Sequence, residues 1–225
     1  MTGVILAAGV GARLGVSHPK GLLELPTGET ILGRQVRLMR DAGIEKIIIV
    51  VGYHREEIES ALDNVRFVHN AHYDETNTAK SLLCALDGLD DDVLWANGDV
   101  VFDKELVPLM LASGESTVLV NASTCGEEEV KYIADSDGRV LEISKTVTDA
   151  QGEALGLNVV RHESLSVFVE ALRQCEDRDY FEHAMQIIID QGAVFKRVLI
   201  GQFRCTEIDF EEDWQRAQRL FSTND

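Results

Sequence analysis

Gly3-Val4-Ile5-Leu6-Ala7-Ala8-Gly9-Val10-Gly11-Ala12-Arg13-Leu14 passes from a short apolar run into a loop of small residues, and that transition governs the reading of everything after it. The apolar part, Gly3 to Ala7, suits a buried strand. The small residues beyond it allow backbone N–H groups to approach an anionic ligand closely. Arg13, and Lys20 in His18-Pro19-Lys20, then add charge where phosphates would lie. The same residues would also make a tight strand-to-helix turn with solvated cations. The loop is not a dinucleotide fingerprint, because the third glycine is missing at the needed spacing. Nor is it a Walker A loop, since no Gly-Lys-Ser/Thr occurs.

Outward from this loop, apolar runs alternate with amphipathic stretches. Lys46 to Val51 is a continuous β-branched run suited to a central parallel strand. Val65 to His69 and Asp92 to Ala96 read as further strands. Thr30 to Ala42, Arg55 to Leu62, Ala79 to Leu86 and Lys104 to Leu111 read as helices. This β-α-β-α order implies an α/β fold, a mostly parallel sheet with helices on both faces. After about Gly114 the rhythm changes. Ser116 to Asn121, Val130 to Ala134, Arg139 to Ser144 and Leu155 to Val160 read as strands, with Asp137-Gly138 a hairpin turn. Helices near Leu165 to Arg173 and Tyr180 to Asp190 follow. Two strands and a helix, Glu211 to Phe221, close the chain. No linker or repeat divides it, so a single domain over 1–225 is expected, with a nucleotide-binding half (1–113) and an α+β acceptor- and metal-binding half (114–225).

The chain has 225 residues, 45% hydrophobic, enough for a sizeable core. Its formal charge of −18 would repel a phosphate polymer or an anionic membrane, so neither nucleic acid nor membrane is an expected partner. A small phosphate ligand is still admitted, because a local cation, helix end or metal outweighs distant charge. No apolar run is long enough for a membrane span, and the first residues lack the parts of a signal peptide. Cys84, Cys125, Cys175 and Cys205 are scattered, without zinc spacing, and read as reduced thiols in a cytoplasmic protein. The six histidines show no metal-binding spacing.

Strand, LAAGxGxRL and Pro-Lys together resemble the signature of the nucleotidyltransferases that activate sugar phosphates, phosphocholine and related molecules. The resemblance extends from Gly3 to about Leu220. It implies the nucleotide-diphospho-sugar transferase fold, Rossmann-like, and a loop, Leu6, Ala7, Ala8, Gly9 and Gly11, that wraps a nucleoside triphosphate while Arg13 and Lys20 contact its phosphates. Two features depart from the pattern: Gly21 stands where the family usually has Pro or another apolar residue, and the stretch from Arg13 to Pro19 is short.

Asn97-Gly98-Asp99 follows the strand ending in Trp95-Ala96. Ligands gather at the carboxyl ends of strands in open α/β sheets, where a metal-binding Asp would be useful to a reaction between two anions. Within the resemblance, Asp99 matches the family's metal-binding Asp. In Thr206-Glu207-Ile208-Asp209 the two acids share one strand face at a separation of ~7 Å, where they repel unless a cation intervenes. Read alone, this is also an exposed strand end with Asp209 capping the next helix. The segment resembles the late Glu-Ile-Asp motif of phosphocholine and inositol-phosphate cytidylyltransferases, which implies Glu207 and Asp209 as the remaining ligands of Mg²⁺. Glu211, Glu212 and Asp213 suit the dipole of the last helix and read as structural.

The resemblance also implies Asn77 and Ser81 near base and ribose. It places Lys145 on the acceptor phosphate, Glu153, within Gly152-Glu153-Ala154-Leu155-Gly156, beside the acceptor, and Tyr180 with Glu182 as a Tyr-Glu pair. Tyr132, Tyr180 and Glu182 together offer π faces and a carboxylate to a cationic amine, although a core position is the commoner fate of an aromatic. The expected reaction joins a nucleoside monophosphate, CMP from CTP being favoured, to a small phosphomonoester or phosphonate. Lys20, Arg13 and Lys145 would neutralise charge. A sugar-1-phosphate or molybdopterin-type nucleotidyltransferase is the alternative, and a non-catalytic nucleotide sensor is the alternative of another class. A homodimer is left open.

Overall fold

The computed structural model describes residues 1–11, 14, 18–123 and 125–222. The first half builds β1 (Thr2–Ala7), α1 (Ile31–Asp41), β2 (Lys46–Val51), α2 (Arg55–Ala61), β3 (Arg66–His69), α3 (Thr78–Leu86), β4 (Val93–Asn97), β5 (Val100–Phe102) and α4 (Leu106–Leu111). The second half adds β6 (Ser116–Val120), β7 (Lys131–Ala134), β8 (Val140–Ser144), β9 (Gly152–Val160), α5 (His162–Gln174), α6 (Phe181–Asp190), β10 (Phe195–Leu199), β11 (Cys205–Glu207) and α7 (Glu211–Leu220).

The nine-stranded main sheet has the order β10-β6-β9-β4-β1-β2-β3, with β7 and β8 hanging from β9. Along this path neighbours are parallel except at β9, which runs antiparallel to both β4 and β6; the β7–β8 and β7–β9 pairs are antiparallel as well. The expected mostly parallel sheet therefore stands, with one reversed strand joining its two halves. Strand alternation sends side chains to two cores. Val4 and Leu6 of β1, with Ile48 and Val50 of β2, meet α3, α5 and α6 on one face through Leu82, Phe168 and Met185. Ile5, Ile47, Ile49 and Val51 meet α1, α2 and α4 on the other through Val36, Ile58 and Leu106. Trp95 anchors the first core, stacked on Phe168 at 5.4 Å and edge-on to Phe181 at 5.5 Å between ring centroids. No helix among the described residues is long and apolar enough to cross a membrane.

β5 pairs antiparallel with β11 in a separate two-stranded sheet, Glu207 opposite Val100 and Cys205 opposite Phe102. A third apolar cluster holds this pair down: Val101, Ile208, Ala217 and Phe221 pack with Leu25 and Ile31, joining α7 to the turn that follows the loop.

Candidate functional site

The carboxyl ends of β1 and β4, the start of α3 and α6, and the β5–β11 pair enclose a cleft of about 670 Å³. Leu6, Ala7, Ala8, Gly9, Gly11 and Lys20 line one end of it. Lys145, Glu153, Tyr180 and Glu182 line the other, and Asp99, Glu207 and Asp209 also reach it. Arg13 lies outside the described residues.

The three acids meet because of β5. Asp99 sits in the turn before this strand, and its carbonyl accepts the Ile208 N–H at 3.0 Å, which brings Asp99 alongside Glu207 and Asp209. Ile208 is fully buried in the third cluster, so its two acidic neighbours turn toward the cleft. The turn itself is clamped from α1: Gln35 Nε2 donates to the carbonyls of Asn97 at 2.8 Å and Val100 at 2.6 Å, one on each side of Gly98-Asp99. Arg34, also buried, donates to the Phe102 carbonyl. Gly98 is required sterically, since a Cβ there would lie 2.7 Å from the Leu6 carbonyl oxygen. Asp213, not Asp209, supplies the cap of α7, accepting the Phe210 N–H at 2.9 Å. Asp209 is thereby spared that role.

Lys20 stands among these acids. Its ammonium is 2.8 Å from Asp209 Oδ1 and 3.8 Å from Asp99 Oδ2, and it donates to the Ile208 carbonyl at 2.8 Å. Its stem lies against Gly11, whose φ of +60° also demands glycine. Burial pushes the Asp99 carboxyl up to about 6; Lys20 draws it down and Asp209 raises it further. Glu207 opens to the cleft but is walled by protein elsewhere. That desolvation, then the charges of Asp99, Asp209 and Glu182, hold its carboxyl well above the usual range. Crowded, oxygen-only donors fit a hard divalent cation such as Mg²⁺. Cys175, Asp179 and His183 form the one trio of metal-capable side chains, among the described residues, whose ligand atoms all lie within 4.8 Å of one another. Asp179 there already holds His183 Nδ1 at 2.8 Å and the Glu176 N–H at 2.7 Å, with the Lys80 ammonium on the Cys175 carbonyl.

At the far end, Lys145 lies 4.5 Å from the Tyr180 ring centroid and 3.6 Å from Glu128. Glu153 accepts from Asn121 Nδ2 at 2.9 Å, and burial raises its carboxyl. Glu182, in the first turn of α6, is 8% exposed, and burial pushes its carboxyl to about 7. Among the described residues, Glu182 Oε2 and Glu129 Oε2 are buried without a hydrogen-bond partner, and both residues line the cleft. Arg216 lines it as well, held by Thr206 Oγ1 and Asp213.

One expected site residue sits differently. Tyr132 is fully buried in the core and spends its hydroxyl on the Asn121 carbonyl at 3.2 Å, so its ring offers no face to the cleft. Asn77 lines the cleft; its Oδ1 also caps α3 through the Thr78 N–H at 2.8 Å and its Nδ2 donates to the Arg178 carbonyl at 3.3 Å, and an amide has a second N–H and a second lone pair besides. Ser81 lines the cleft. Gln35, Glu129 and Arg216 were not signalled by the sequence. Gln35 reads as a polar position on an amphipathic helix, and Glu129 disappears into the run Glu127-Glu128-Glu129.

Comparison with known proteins bears on this geometry. The family model for the MobA-like NTP transferase domain matches residues 3–174. The CTP:phosphoglutamine cytidylyltransferase of Campylobacter jejuni is 25% identical, over 95% of this chain and 97% of that protein. The UTP–glucose-1-phosphate uridylyltransferase AglF of Haloferax volcanii is 34% identical, over 97% of this chain and 96% of that protein. Among solved structures, the inositol-1-phosphate CTP transferase from T. maritima superposes with a TM-score of 0.82 at 19% identity, covering 98% of this chain and 95% of that one.

Proposed function

The chain belongs to the family of MobA-like NTP transferase domains and is a nucleotidyltransferase; from that premise we propose that it joins CMP, from CTP, to a small phosphomonoester or phosphonate that carries a cationic amine. The observation that carries the acceptor class is the pair of carboxylate oxygens, Glu182 Oε2 and Glu129 Oε2, that are buried and unpartnered among the described residues, in the part of the cleft where Lys145 and Tyr180 stand. Such oxygens are costly to bury unless a ligand satisfies them. An ammonium does so, over the Tyr180 face, while the Lys145 ammonium takes the acceptor phosphate. Similarity to the cytidylyltransferase of C. jejuni supports CTP. The 34% identity to the uridylyltransferase of H. volcanii supports a second reading, UTP with a sugar-1-phosphate.

In the proposed reaction an anionic oxygen of the acceptor forms a bond to the α-phosphorus of the triphosphate. The bond from that phosphorus to the β-bridging oxygen breaks, and pyrophosphate leaves with the electron pair. The acceptor oxygen is already ionised, so no protein nucleophile or base is required. The chain contributes position and charge. N–H groups of the loop from Leu6 to Gly11, with Lys20 and Arg13, hold the phosphates; Lys145 holds the acceptor. Asp99, Glu207 and Asp209 would hold Mg²⁺, which neutralises charge on the transferring phosphoryl group when bound. Both halves of the single domain take part, residues 1–113 supplying the loop and Asp99, and residues 114–225 supplying Glu207, Asp209 and the acceptor wall. The formal charge of −18 speaks against nucleic acid as a partner, and four free cysteines fit a cytoplasmic protein, whether monomer or homodimer.

Pyrophosphate release with Mg²⁺ tests this, with CTP, UTP, GTP, ATP and dTTP each paired with phosphocholine, 2-aminoethylphosphonate, inositol-1-phosphate and glucose-1-phosphate. The expected signal is CTP with an amine-bearing acceptor. UTP with glucose-1-phosphate as the preferred pair would replace this reading by the second.

A further inference from the structure

The turn between α5 and α6 brings together three side chains of different chemistry. Cys175 stands directly after α5, Asp179 in the turn, and His183 in the first turn of α6. The steps Cys-x3-Asp-x3-His match no zinc spacing legible in the sequence; the fold of the turn gathers them. The Asp179 N–H donates to the Glu176 carbonyl at 3.1 Å, and Asp179 Oδ2 accepts the Glu176 N–H at 2.7 Å and faces His183 Nδ1 at 2.8 Å. Carboxylate and imidazole are thereby held side by side. Cys175 is 4% exposed, and among the described residues its thiol has no hydrogen-bond partner. Asp179 Oδ1 and His183 Nε2 have none there either. Ligand atoms of the three side chains all lie within 4.8 Å of one another.

We propose that Cys175, Asp179 and His183 form a second metal site, for Zn²⁺, that clips α5 to α6 outside the cleft. Sulfur with nitrogen and oxygen suits zinc and not magnesium, and three protein ligands leave a fourth position to water. Tetrahedral zinc sets its ligands about 3.5 Å apart, so the donors close by about 1 Å; His183, on the surface, has room to do so. Binding releases the thiol proton to solvent. The Lys80 ammonium is the cation nearby. It donates to the carbonyls of Leu172, Arg173 and Cys175, at the C-terminal end of α5 where a cation belongs. Thiolate and carboxylate cancel the charge of the ion, so Lys80 faces a neutral cluster. None of the three ligands lines the cleft, but the turn carries parts that do. Asn77 N–H donates to the Asp177 carbonyl at 2.7 Å, Ala79 N–H to the Asp179 carbonyl at 3.2 Å, and Phe181 N–H to Thr78 Oγ1 at 3.2 Å. The ion therefore orders the start of α3 together with Tyr180 and Glu182, which follow Asp179 into the cleft wall.

The test is a titration of the whole chain, stripped with a chelator, with Co²⁺ as a spectroscopic stand-in for zinc. One equivalent is expected to bring up the thiolate-to-cobalt charge-transfer absorption in the near ultraviolet, and one equivalent of Zn²⁺ to abolish it. A large excess of Mg²⁺ should leave the absorption in place, because a hard ion does not compete for sulfur. Cys175→Ser should lose the absorption, whereas Cys84→Ser, Cys125→Ser and Cys205→Ser, made singly, should each keep it. His183→Ala should weaken Co²⁺ by more than about 10-fold, the least that loss of even an outer partner of a metal costs. Zn²⁺ should raise the melting temperature of wild type and not of Cys175→Ser. No absorption at one equivalent, an absorption that survives Cys175→Ser or yields to Mg²⁺, or an unchanged affinity in His183→Ala would each overturn the proposal. Should Cys175→Ser not fold, His183→Ala decides, since it alters only a surface side chain.

Discussion

The Lys20 ammonium lies 2.8 Å from Asp209 Oδ1, a pairing that joins the short turn opening at Lys20 to the segment between β11 and α7. The same nitrogen is 3.8 Å from Asp99 Oδ2, so one cation bridges both sources of acid. Lys20→Met should therefore do two things. It removes a charge from the transition state, with an expected loss of about 10²–10³ in turnover. It also leaves Asp99, Glu207 and Asp209 facing one another, so the unliganded protein should melt lower. Lys20→Arg should not restore turnover, because the stem is fitted against Gly11 and a planar guanidinium does not replace a compact ammonium there. Pyrophosphate release and thermal melts check both points; an Arg variant with wild-type turnover would refute the fit.

Gln35 acts on the site without reaching it. Its amide holds the carbonyls on both sides of Gly98-Asp99. Gln35→Leu leaves those two carbonyls without their donor, at an expected cost of about 1–3 kcal/mol. It should also raise the Mg²⁺ concentration for half-maximal turnover several-fold. Val169→Ala, in the opposite core, serves as a control: it should lower the melting temperature and leave the Mg²⁺ requirement unchanged. If the two variants show the same Mg²⁺ requirement, Gln35 is only structural.

What the sequence revealed follows from where the information lies. β1 and β2 are apolar runs whose length and flanks suffice, and Asp137-Gly138 marks the β7–β8 hairpin, with Gly138 at φ +78° as such a turn requires. Lys20, Asp99, Glu207 and Asp209 were legible as a resemblance and meet in space. β5 was not legible: it is three residues long, and its partner is β11, near the other end of the chain. No periodicity reports a pairing that distant. Asn77 has a residue type suited both to a base edge and to a helix cap; it caps α3 and also lines the cleft. Tyr132 is an aromatic at strand period, and the core took it. Glu129 and Gln35 are polar residues that tertiary packing buries or engages, which local pattern cannot foresee.

Gly11 and Gly9 should respond differently to alanine. At Gly11 a Cβ would stand 2.8 Å from Lys20 Cγ, on a backbone with φ of +60°. At Gly9 nothing among the described residues lies within 4 Å of the added atom. Gly11→Ala should destabilise the unliganded protein by about 1–2 kcal/mol. Gly9→Ala should stay within about 0.5 kcal/mol, the range of changes that touch nothing. Denaturant unfolding of the two variants without nucleotide measures this, and equal losses would contradict the contact between Gly11 and Lys20.

Glu182 should make the protein less stable than it could be. Burial holds its carboxyl at about 7 in the folded chain, against an ordinary value of 4.5. The folded protein therefore keeps this proton to a pH at which the unfolded chain has released it. Stability from this group is complete below about pH 4.5, falls between there and pH 7, and is gone above. Glu182→Gln removes the titration while keeping the shape. The variant should match wild type near pH 4.5 and exceed it at pH 8 by on the order of 1–3 kcal/mol, since one pKa unit is worth about 1.4 kcal/mol. For a chain of this size that is several degrees of melting temperature. The same substitution should weaken an amine-bearing acceptor at pH 8, because the amide lacks the charge an ammonium would meet. Melting temperatures at pH 5 and pH 8, with the acceptor KM at pH 8, separate the outcomes. A Gln variant less stable at pH 8 would mean that the carboxylate has a partner in the fold. A more stable variant with unchanged KM would mean that the amine does not meet Glu182.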